Sequence, residues 1–205
     1  MRMKSAAFPL PAKLARVVAL GVRLALGVSL ALALALLAAA VPAAAQQPAL
    51  RAPDVPYEPS PVPVVQAMLR LADIQAGELV YDLGCGDGRV VIAAVRERGA
   101  RGVCVDIDPR RIAEARDNAE LAGVSERIRF VTADLFRTDI RDADVVMLFL
   151  WPSVNLALRP KLRAELRAGT RIVSHEHPMG DWKPEQTLLV PDRGHTHPVY
   201  RWTIR

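Results

Sequence analysis

Residues 79–89 read Leu79-Val80-Tyr81-Asp82-Leu83-Gly84-Cys85-Gly86-Asp87-Gly88-Arg89, a short apolar run that breaks into three alternate glycines. The apolar run has the length and composition of a buried strand, and residues 90–95 resume as an apolar segment that suits a helix. A strand, a glycine turn and a helix form the opening unit of a doubly wound α/β sheet. Alternate glycines also leave no Cβ atoms between the backbone and a ligand, so we predict a binding site at this turn.

The spacing of the glycines indicates which ligand the turn accepts. A dinucleotide-binding turn follows the pattern G-x-G-x-x-G, which places a pyrophosphate at the start of the helix. Here Gly84, Gly86 and Gly88 alternate, and Asp82 stands two residues before the first of them. A carboxylate at that place would repel a pyrophosphate but suits a cationic amine. The pattern therefore favours a nucleoside that carries an amino acid, S-adenosylmethionine.

Two later strands are also followed by acidic residues. A second apolar run ends at Asp106, where a carboxylate can accept both hydroxyls of a ribose. A third run, residues 128–132, leads to Asp134. Because the carboxyl ends of parallel strands meet at one edge of a sheet, we expect Asp82, Asp106 and Asp134 to surround one cofactor.

The run Asp82-x-Gly84-x-Gly86-x-Gly88 resembles motif I of the class I (seven-β-strand) methyltransferases, which use S-adenosylmethionine. The resemblance implies an α/β fold with a doubly wound, mostly parallel seven-stranded sheet and helices on both faces. It also implies that Asp82 holds the methionine amine and that Ile107 lies on the adenine face. The whole cofactor set that it implies is Tyr57, Ser60, Asp82, Gly84, Gly86, Gly88, Arg89, Asp106, Ile107, Asp134 and Leu135.

Motifs outside the glycine turn narrow the resemblance. They are Tyr57-x-Pro59-Ser60-Pro61-x-x-Val64-Val65, the run 169–175 with Trp182-Lys183-Pro184, and residues 199–203. Together they resemble the protein-lysine N-methyltransferases of the ATP synthase c subunit and adenine nucleotide translocase type and their archaeal and bacterial relatives. Ser60 stands where that family usually has threonine. The resemblance implies in-line methyl transfer to the amine of a protein lysine, with a membrane or envelope protein as one possible substrate.

The acceptor side of the site is expected after residues 143–150, a fourth predicted strand. Leu150-Trp151-Pro152-Ser153 lacks the Pro-Pro-aromatic pattern of DNA and glutamine amide N-methyltransferases. We expect Trp151 and Tyr57 to line a substrate channel or a lid, with packing roles as the alternatives, and no general base is nominated. Methylation of a small molecule or a lipid headgroup, and a cofactor-binding module without turnover, are the alternative functions.

Histidines occur in two short segments, His175-Glu176-His177 and His195-Thr196-His197. Imidazoles and a carboxylate can bind zinc. Both segments stand beside prolines in expected loops, however, where solvated or hydrogen-bonded histidines are the simpler interpretation. We therefore predict no metal site.

The chain divides into three predicted parts: a leader (1–45), a proline-rich linker with a lid motif (46–63) and the methyltransferase domain (64–205). The leader is basic, then apolar, then rich in small residues, as in a secretory signal peptide; an uncleaved membrane anchor is the alternative. Either places the domain outside the cytoplasm or at the membrane, although S-adenosylmethionine is made inside. Nothing in the sequence reconciles the two.

The charge of the chain is concentrated in the leader. The net charge is +5, but residues 46–205 hold 22 basic and 22 acidic side chains. A protein that binds nucleic acid carries its basic surface on the folded domain. We therefore expect no nucleic-acid partner.

The two cysteines, Cys85 and Cys104, lie on the glycine turn and on the second strand. A disulfide between them is conceivable outside the cytoplasm. We expect two unpaired buried side chains instead, because a bridge would distort a turn that must fit the cofactor.

The remaining elements follow from apolar periodicity. Beyond the glycine turn we expect helices over 64–72, 90–98, 109–122 and 155–168, the last broken or kinked at Pro160. The further strands are expected at 102–106, 128–132, 143–150, 171–175, 187–190 and 199–204, and the last two form an antiparallel pair.

Overall fold

A computed structural model of the chain describes residues 51–205. In chain order the elements are α1 (Val62–Ala72), β1 (Leu79–Leu83), α2 (Arg89–Arg98), β2 (Arg101–Asp106), α3 (Pro109–Leu121), a 3-10 turn (Ser125–Arg127), β3 (Ile128–Thr132), β4 (Val145–Leu148), α4 (Pro152–Glu165), β5 (Arg171–His175), β6 (Gln186–Asp192) and β7 (His195–Thr203). The predicted leader lies outside the described residues. Within residues 51–205, no helix combines the length and the apolar character that a membrane span requires.

The seven strands form one mixed sheet in the order β3-β2-β1-β4-β5-β7-β6. Strands β1 to β5 pair in parallel, and β7 is antiparallel to both of its neighbours. The order reverses between β1 and β4, so the chain leaves these two strands in opposite directions. Such a switch point opens a crevice at the carboxyl ends of the strands, where α/β sheets bind their ligands.

Alternation along β1 distributes the helices over both faces of the sheet. Val80 packs in a cluster with the residues of α1 and with Val90 and Ala94 of α2. Tyr81 and Leu83 point to the other face and share a cluster with Leu158 of α4. The predicted Rossmann-like architecture is therefore confirmed for the described residues.

The strand and helix limits differ from the predicted ones around β4. This strand covers Val145–Leu148 rather than 143–150, and just before its start the Asp144 carboxylate accepts a hydrogen bond from the Leu79 amide (2.8 Å). Helix α4 starts at Pro152, where proline suits the first helical position, rather than at 155. It then runs past Pro160 to Glu165 without a break, so of the two expected effects of Pro160 only a kink stays a prediction.

Strand β7 is longer than predicted at its amino-terminal end. Strands β6 and β7 form a hairpin whose turn is made by Arg193 and Gly194, both with positive φ (45° and 85°). Pairing therefore continues to Asp192 opposite His195, and His195 and His197 lie on a strand rather than in a loop. The expectation of loop histidines at 195–197 is wrong for this reason.

The cysteines also differ from expectation. Cys85 and Cys104 form a disulfide, with their Cα atoms 5.4 Å apart. The amides of Gly84 and Cys85 both donate to the carbonyl of Val105 (2.8 and 3.0 Å), so the turn already folds back over β2. The bridge joins two segments that these hydrogen bonds hold together, and the turn keeps its open side toward the crevice. The prediction of two unpaired cysteines is therefore wrong, because the bridge does not distort the glycine turn.

Candidate functional site

A cavity of about 560 Å³ lies at the carboxyl ends of β1, β2 and β4. It brings together all of the predicted cofactor residues except Gly88: Tyr57, Ser60, Asp82, Gly84, Gly86, Arg89, Asp106, Ile107, Asp134 and Leu135. Three of these are the acidic residues at successive strand ends. The cavity is open between them.

Two glycines of the turn form the wall of this cavity. Gly84 (φ 80°) and Gly86 (φ 55°) both adopt the left-handed conformation, which side chains with a Cβ atom rarely adopt. A Cβ atom on Gly84 would lie 2.7 Å from Leu150 Cδ2, and one on Gly86 would lie 2.5 Å from the ring of Tyr57. Side chains at these two positions would occupy space in the cavity or displace Leu150 and Tyr57 from its wall.

Gly88 has a different role from the one predicted. It precedes α2 with a φ of 78°, and a Cβ atom there would lie 2.9 Å from Ala115 Cβ on α3. Gly88 therefore allows α2 and α3 to pack closely and does not line the cavity.

Asp82 is the most buried of the three strand-end acids, with 4% of its surface exposed. Burial, with smaller contributions from the charges of Asp106 and Asp87, raises the pKa of its carboxyl to about 7. The hydrogen bond from the amide of Val91 to Oδ2 (3.3 Å) acts in the opposite direction. Within residues 51–205 the Asp82 carboxylate has no cationic hydrogen-bond partner, and a buried carboxylate of this kind is a fitting receptor for an ammonium group.

Asp106 is held in place by two backbone amides. Its Oδ2 accepts from Gly86 (3.0 Å) and its Oδ1 accepts from Asp108 (2.9 Å). Each oxygen keeps a second lone pair, so both can accept from ligand hydroxyls. Ile107 follows directly and also lines the cavity.

Asp134 is tied to the linker as well as to its own turn. Its Oδ1 accepts from the amide of Phe136 (2.9 Å), and its carboxylate forms a two-pronged ion pair with Arg51 (3.0 and 3.2 Å). Arg51 therefore lines the cavity beside Asp134. It was missed because nothing in its local sequence marks a partner 83 residues away.

The linker lies across the cavity as a strip of residues 51–60. Arg89 connects it to the glycine turn, because its Nη1 donates to the carbonyl of Ser60 (3.0 Å) while its Nη2 pairs with Asp87 (2.6 Å). The guanidinium of Arg111 lies 4.5 Å from the centre of the Tyr57 ring, a favourable cation–π distance. The strip provides one wall of the site, and its role as a lid stays a prediction.

The acceptor side is built from the residues after β4. Phe149, Leu150 and Val154 line the cavity. Trp151 does not: its side chain is 49% exposed, and its backbone carbonyl starts helix α4 by accepting from the amides of Val154 and Asn155. Phe149 was missed because it lay inside the predicted strand 143–150, whereas β4 ends at Leu148 and releases it.

A cluster of histidines lies behind Phe149. The His175 ring is completely buried, and its centre is 3.9 Å from that of Phe149. Its Nδ1 is 2.9 Å from Ser60 Oγ and its Nε2 is 3.1 Å from His197 Nδ1. Burial lowers the pKa of His175 to about 3, and the neighbouring histidines contribute in the same direction. His175 is thus an uncharged buried group at the end of β5; of the two interpretations from the sequence, hydrogen-bonded rather than solvated describes it.

The residues around the cavity fit S-adenosylmethionine. The glycines let the protein backbone approach the cofactor closely. The buried Asp82 can bind the amine, and Asp106, which two backbone amides hold in place, can bind the ribose. When bound, this cofactor supplies an electrophilic methyl group on a sulfonium sulfur. The apolar rim formed by Phe149 and Leu150 is where an acceptor can approach.

Comparison with known proteins agrees with this geometry. The family model described as the ANTKMT methyltransferase domain matches residues 82–186. A protein-lysine N-methyltransferase of Saccharolobus islandicus (strain REY15A) is 44% identical over 74% of this chain and 95% of its own length. The adenine nucleotide translocase lysine N-methyltransferase of Mus musculus is 38% identical over 63% of this chain, which spans only 56% of that protein.

Among solved structures, an RNA methyltransferase from Salinibacter ruber in complex with S-adenosyl-L-homocysteine is 50% identical. The match covers 72% of this chain and 94% of that one, with a TM-score of 0.68. The demethylated form of the cofactor is thus bound by a protein of the same fold and half the same residues. The chain therefore belongs to the class I S-adenosylmethionine-dependent methyltransferases, in the family of the ANTKMT methyltransferase domain.

Proposed function

We propose that the protein transfers a methyl group from S-adenosylmethionine to the side-chain amine of a lysine in another protein. The observation that carries this proposal is the 44% identity to a protein-lysine N-methyltransferase over nearly the whole of that enzyme. The mouse translocase enzyme supports the same substrate class.

The chain's own residues act by positioning and by excluding water. Methyl transfer by in-line displacement requires the acceptor to be held close and aligned, and such positioning can remove about 7–11 kcal/mol from a reaction barrier. Phe149 and Leu150 present apolar surface at the end of β4. Burial against such surface lowers the pKa of a lysine ammonium and favours the uncharged amine, which is the nucleophile. The linker strip with Tyr57 closes the opposite wall.

RNA methylation is the second candidate, because the Salinibacter ruber protein carries that description. Charge argues against it here. Residues 46–205 hold equal numbers of basic and acidic side chains, whereas proteins that bind RNA neutralise its phosphates with an excess of lysine and arginine. The sequence after β4, Leu150-Trp151-Pro152-Ser153, also lacks the Pro-Pro-aromatic pattern found in several base-methylating enzymes.

The deciding experiment offers all acceptor classes at once. The full-length protein is incubated with methyl-labelled cofactor and three fractions of its source cells: envelope and soluble protein, total RNA, and a lipid extract. We expect label that resists ribonuclease, disappears with protease and appears as methyl-lysine after acid hydrolysis. The Asp106→Asn variant is the control, since it keeps the shape of the site but weakens the contact to the ribose.

Two outcomes would overturn the proposal. Label that ribonuclease removes would assign the enzyme to RNA. Label that partitions into the organic phase would assign it to a lipid headgroup, the alternative drawn from the sequence. In either case the Asp106→Asn variant still reports whether the cavity is the cofactor site.

A further inference from the structure

Three potential metal ligands converge at the carboxyl end of β5. They are His175 Nε2, Glu176 Oε2 and His197 Nδ1, contributed by β5, the residue after it and β7. The distances between these atoms are 3.1 Å for the two histidines, 3.1 Å from His197 to Glu176 and 3.7 Å from His175 to Glu176. They form a triangle with two sides of 3.1 Å and one of 3.7 Å.

That triangle has the size of one face of a zinc coordination tetrahedron. Zinc lies about 2.0–2.1 Å from histidine nitrogens and carboxylate oxygens, so neighbouring ligand atoms in a tetrahedral site are separated by about 3.3 Å. Two histidines and a glutamate are also the donor set of a zinc site with one open position. Nitrogen and oxygen donors of this kind exclude metals that require thiolates.

Hydrogen bonding alone does not satisfy the cluster. Each neutral imidazole carries one proton, and an ionised Glu176 carries none. If His197 Nδ1 holds a proton, the contacts to His175 and Glu176 must share it. If Nδ1 is bare, its lone pair faces the Glu176 carboxylate at 3.1 Å. With Glu176 ionised, one of the two short contacts therefore always lacks its own proton, whereas a cation between the three atoms is bound by all of them.

The surroundings orient the ligands as in established metal sites. A metal-bound histidine usually donates its second ring N–H to a protein oxygen, which fixes the tautomer. Ser60 Oγ lies 2.9 Å from His175 Nδ1 and leaves Nε2 free for a metal. Glu176 has a positive φ of 64°, which directs its side chain back toward β7, and its other oxygen lies 3.4 Å from His195 Nε2.

We propose that His175, Glu176 and His197 bind one zinc-class divalent cation. The site adjoins the acceptor side of the methyltransferase cavity through two residues that line it. Phe149 packs against the ring of His175. The hydroxyl of Ser60 is hydrogen-bonded to Nδ1 of His175, and the backbone carbonyl of Ser60 accepts from Arg89 of the glycine turn. The cation would therefore hold the β5 end, the linker strip and the acceptor wall in one arrangement.

The test measures metal content, independently of methyl transfer. The full-length protein, produced without a polyhistidine tag, is stripped with chelator, supplied with zinc, dialysed and analysed by elemental mass spectrometry. We expect one zinc per chain. His197→Ala and Glu176→Gln should each weaken zinc binding by more than about 100-fold, because losing a ligand costs more than losing an outer-shell partner. Cobalt(II) in place of zinc should give the absorption of a tetrahedral nitrogen and oxygen site.

His177→Ala is the matched control, because this histidine is adjacent to Glu176 but outside the ligand triangle, and it should retain one zinc. Circular dichroism of each variant establishes that it is folded. If His197→Ala fails to fold, Glu176→Gln decides, since it preserves side-chain shape. A wild-type protein that binds no zinc, or a folded Glu176→Gln variant that binds it as tightly as wild type, would overturn the proposal.

Discussion

At the carboxyl end of β1, Asp82 is under two opposing electrostatic demands. The empty fold favours the neutral acid, because burial raises its pKa to about 7. A cationic amine favours the carboxylate. Ionisation of Asp82 therefore lowers the stability of the cofactor-free protein but creates the charge that binds the cofactor. Such a combination is common at binding sites.

Cofactor affinity should depend on the ionisation of Asp82. Below about pH 7 the carboxyl is protonated and cannot pair with the amine, so affinity should rise as the pH is raised from about 6 to about 8. Asp82→Asn should weaken binding of S-adenosyl-L-homocysteine by about 10–100-fold at the upper pH, as expected for a charged hydrogen bond. Isothermal titration calorimetry measures both. An Asn variant with wild-type affinity at about pH 8 would contradict the assigned role.

The same substitution should act oppositely on stability. Because the folded pKa of Asp82 is raised, the cost of its ionisation is absent below about pH 4 and grows until the pH has passed about 7. Asp82→Asn should therefore raise the Tm of the cofactor-free protein at about pH 8 and raise it much less at about pH 4.5. Thermal unfolding of both proteins over this range is the measurement. An equal shift at both values would point to packing rather than charge.

Gly86 offers a test of the wall that Tyr57 provides. Gly86→Ala adds a Cβ atom 2.5 Å from the Tyr57 ring, in addition to about 1–2 kcal/mol of backbone cost at positive φ. The ring must move, so cofactor affinity should fall. Gly123→Ala is the matched control: its φ of 69° carries the same backbone cost, but nothing lies within 4 Å of the added atom. Both variants should lose stability in denaturant, and only Gly86→Ala should lose affinity.

At the scale of elements, the disulfide joins the glycine turn to β2. Its sequence separation is 19 residues, and closing a loop of about this length in the unfolded chain contributes ~3 kcal/mol to stability. The Cys85→Ala, Cys104→Ala double variant should be less stable than wild type by that amount. With a reductant present the difference should nearly vanish. Urea unfolding with and without reductant measures this, and a wild type indifferent to reductant would contradict it.

The elements also explain what the sequence could predict. Strand ends were predictable because each strand is a local apolar run, and parallel strands bring their ends together by topology. Asp82, Asp106 and Asp134 therefore line one cavity as expected. The glycine turn was predictable for a similar reason, since its backbone conformation requires glycine at particular positions and these glycines are visible in the sequence.

The histidine cluster was not predictable because it depends on register. His175 pairs with Val199 across β5 and β7, which places His197 beside Glu176. A shift of that register by one residue would turn His197 to the other face. Local sequence around 195–197 contains a proline and no strong strand pattern, so the long β7 follows only from its hairpin with β6. The ion pair of Arg51 with Asp134 could not be predicted either, because the two residues are 83 positions apart in the sequence.

At the scale of the whole molecule, the zero net charge of residues 46–205 predicts how substrate binding depends on salt. Partners held by charge lose affinity steeply with added salt, and RNA does so in proportion to the phosphates contacted. Methyl transfer to a protein that docks on the apolar rim should change little between about 0.05 and 0.2 M salt. Initial rates at low substrate concentration measure this. A fall of several powers of ten would favour a polyanionic substrate.

The cellular location of the domain is a second whole-molecule question, and the disulfide makes it testable. We propose that the predicted leader carries the domain out of the cytoplasm, because disulfides persist in oxidising compartments and are reduced in the cytoplasm. Intact cells are quenched with acid, denatured, and alkylated before and after reduction. Cys85 and Cys104 should react only after reduction. A Cys104→Ala variant leaves Cys85 unpaired, so its labelling without reduction establishes that the reagent reaches the site. If both wild-type cysteines react without reduction, the domain resides where its cofactor is made, and the leader has another role.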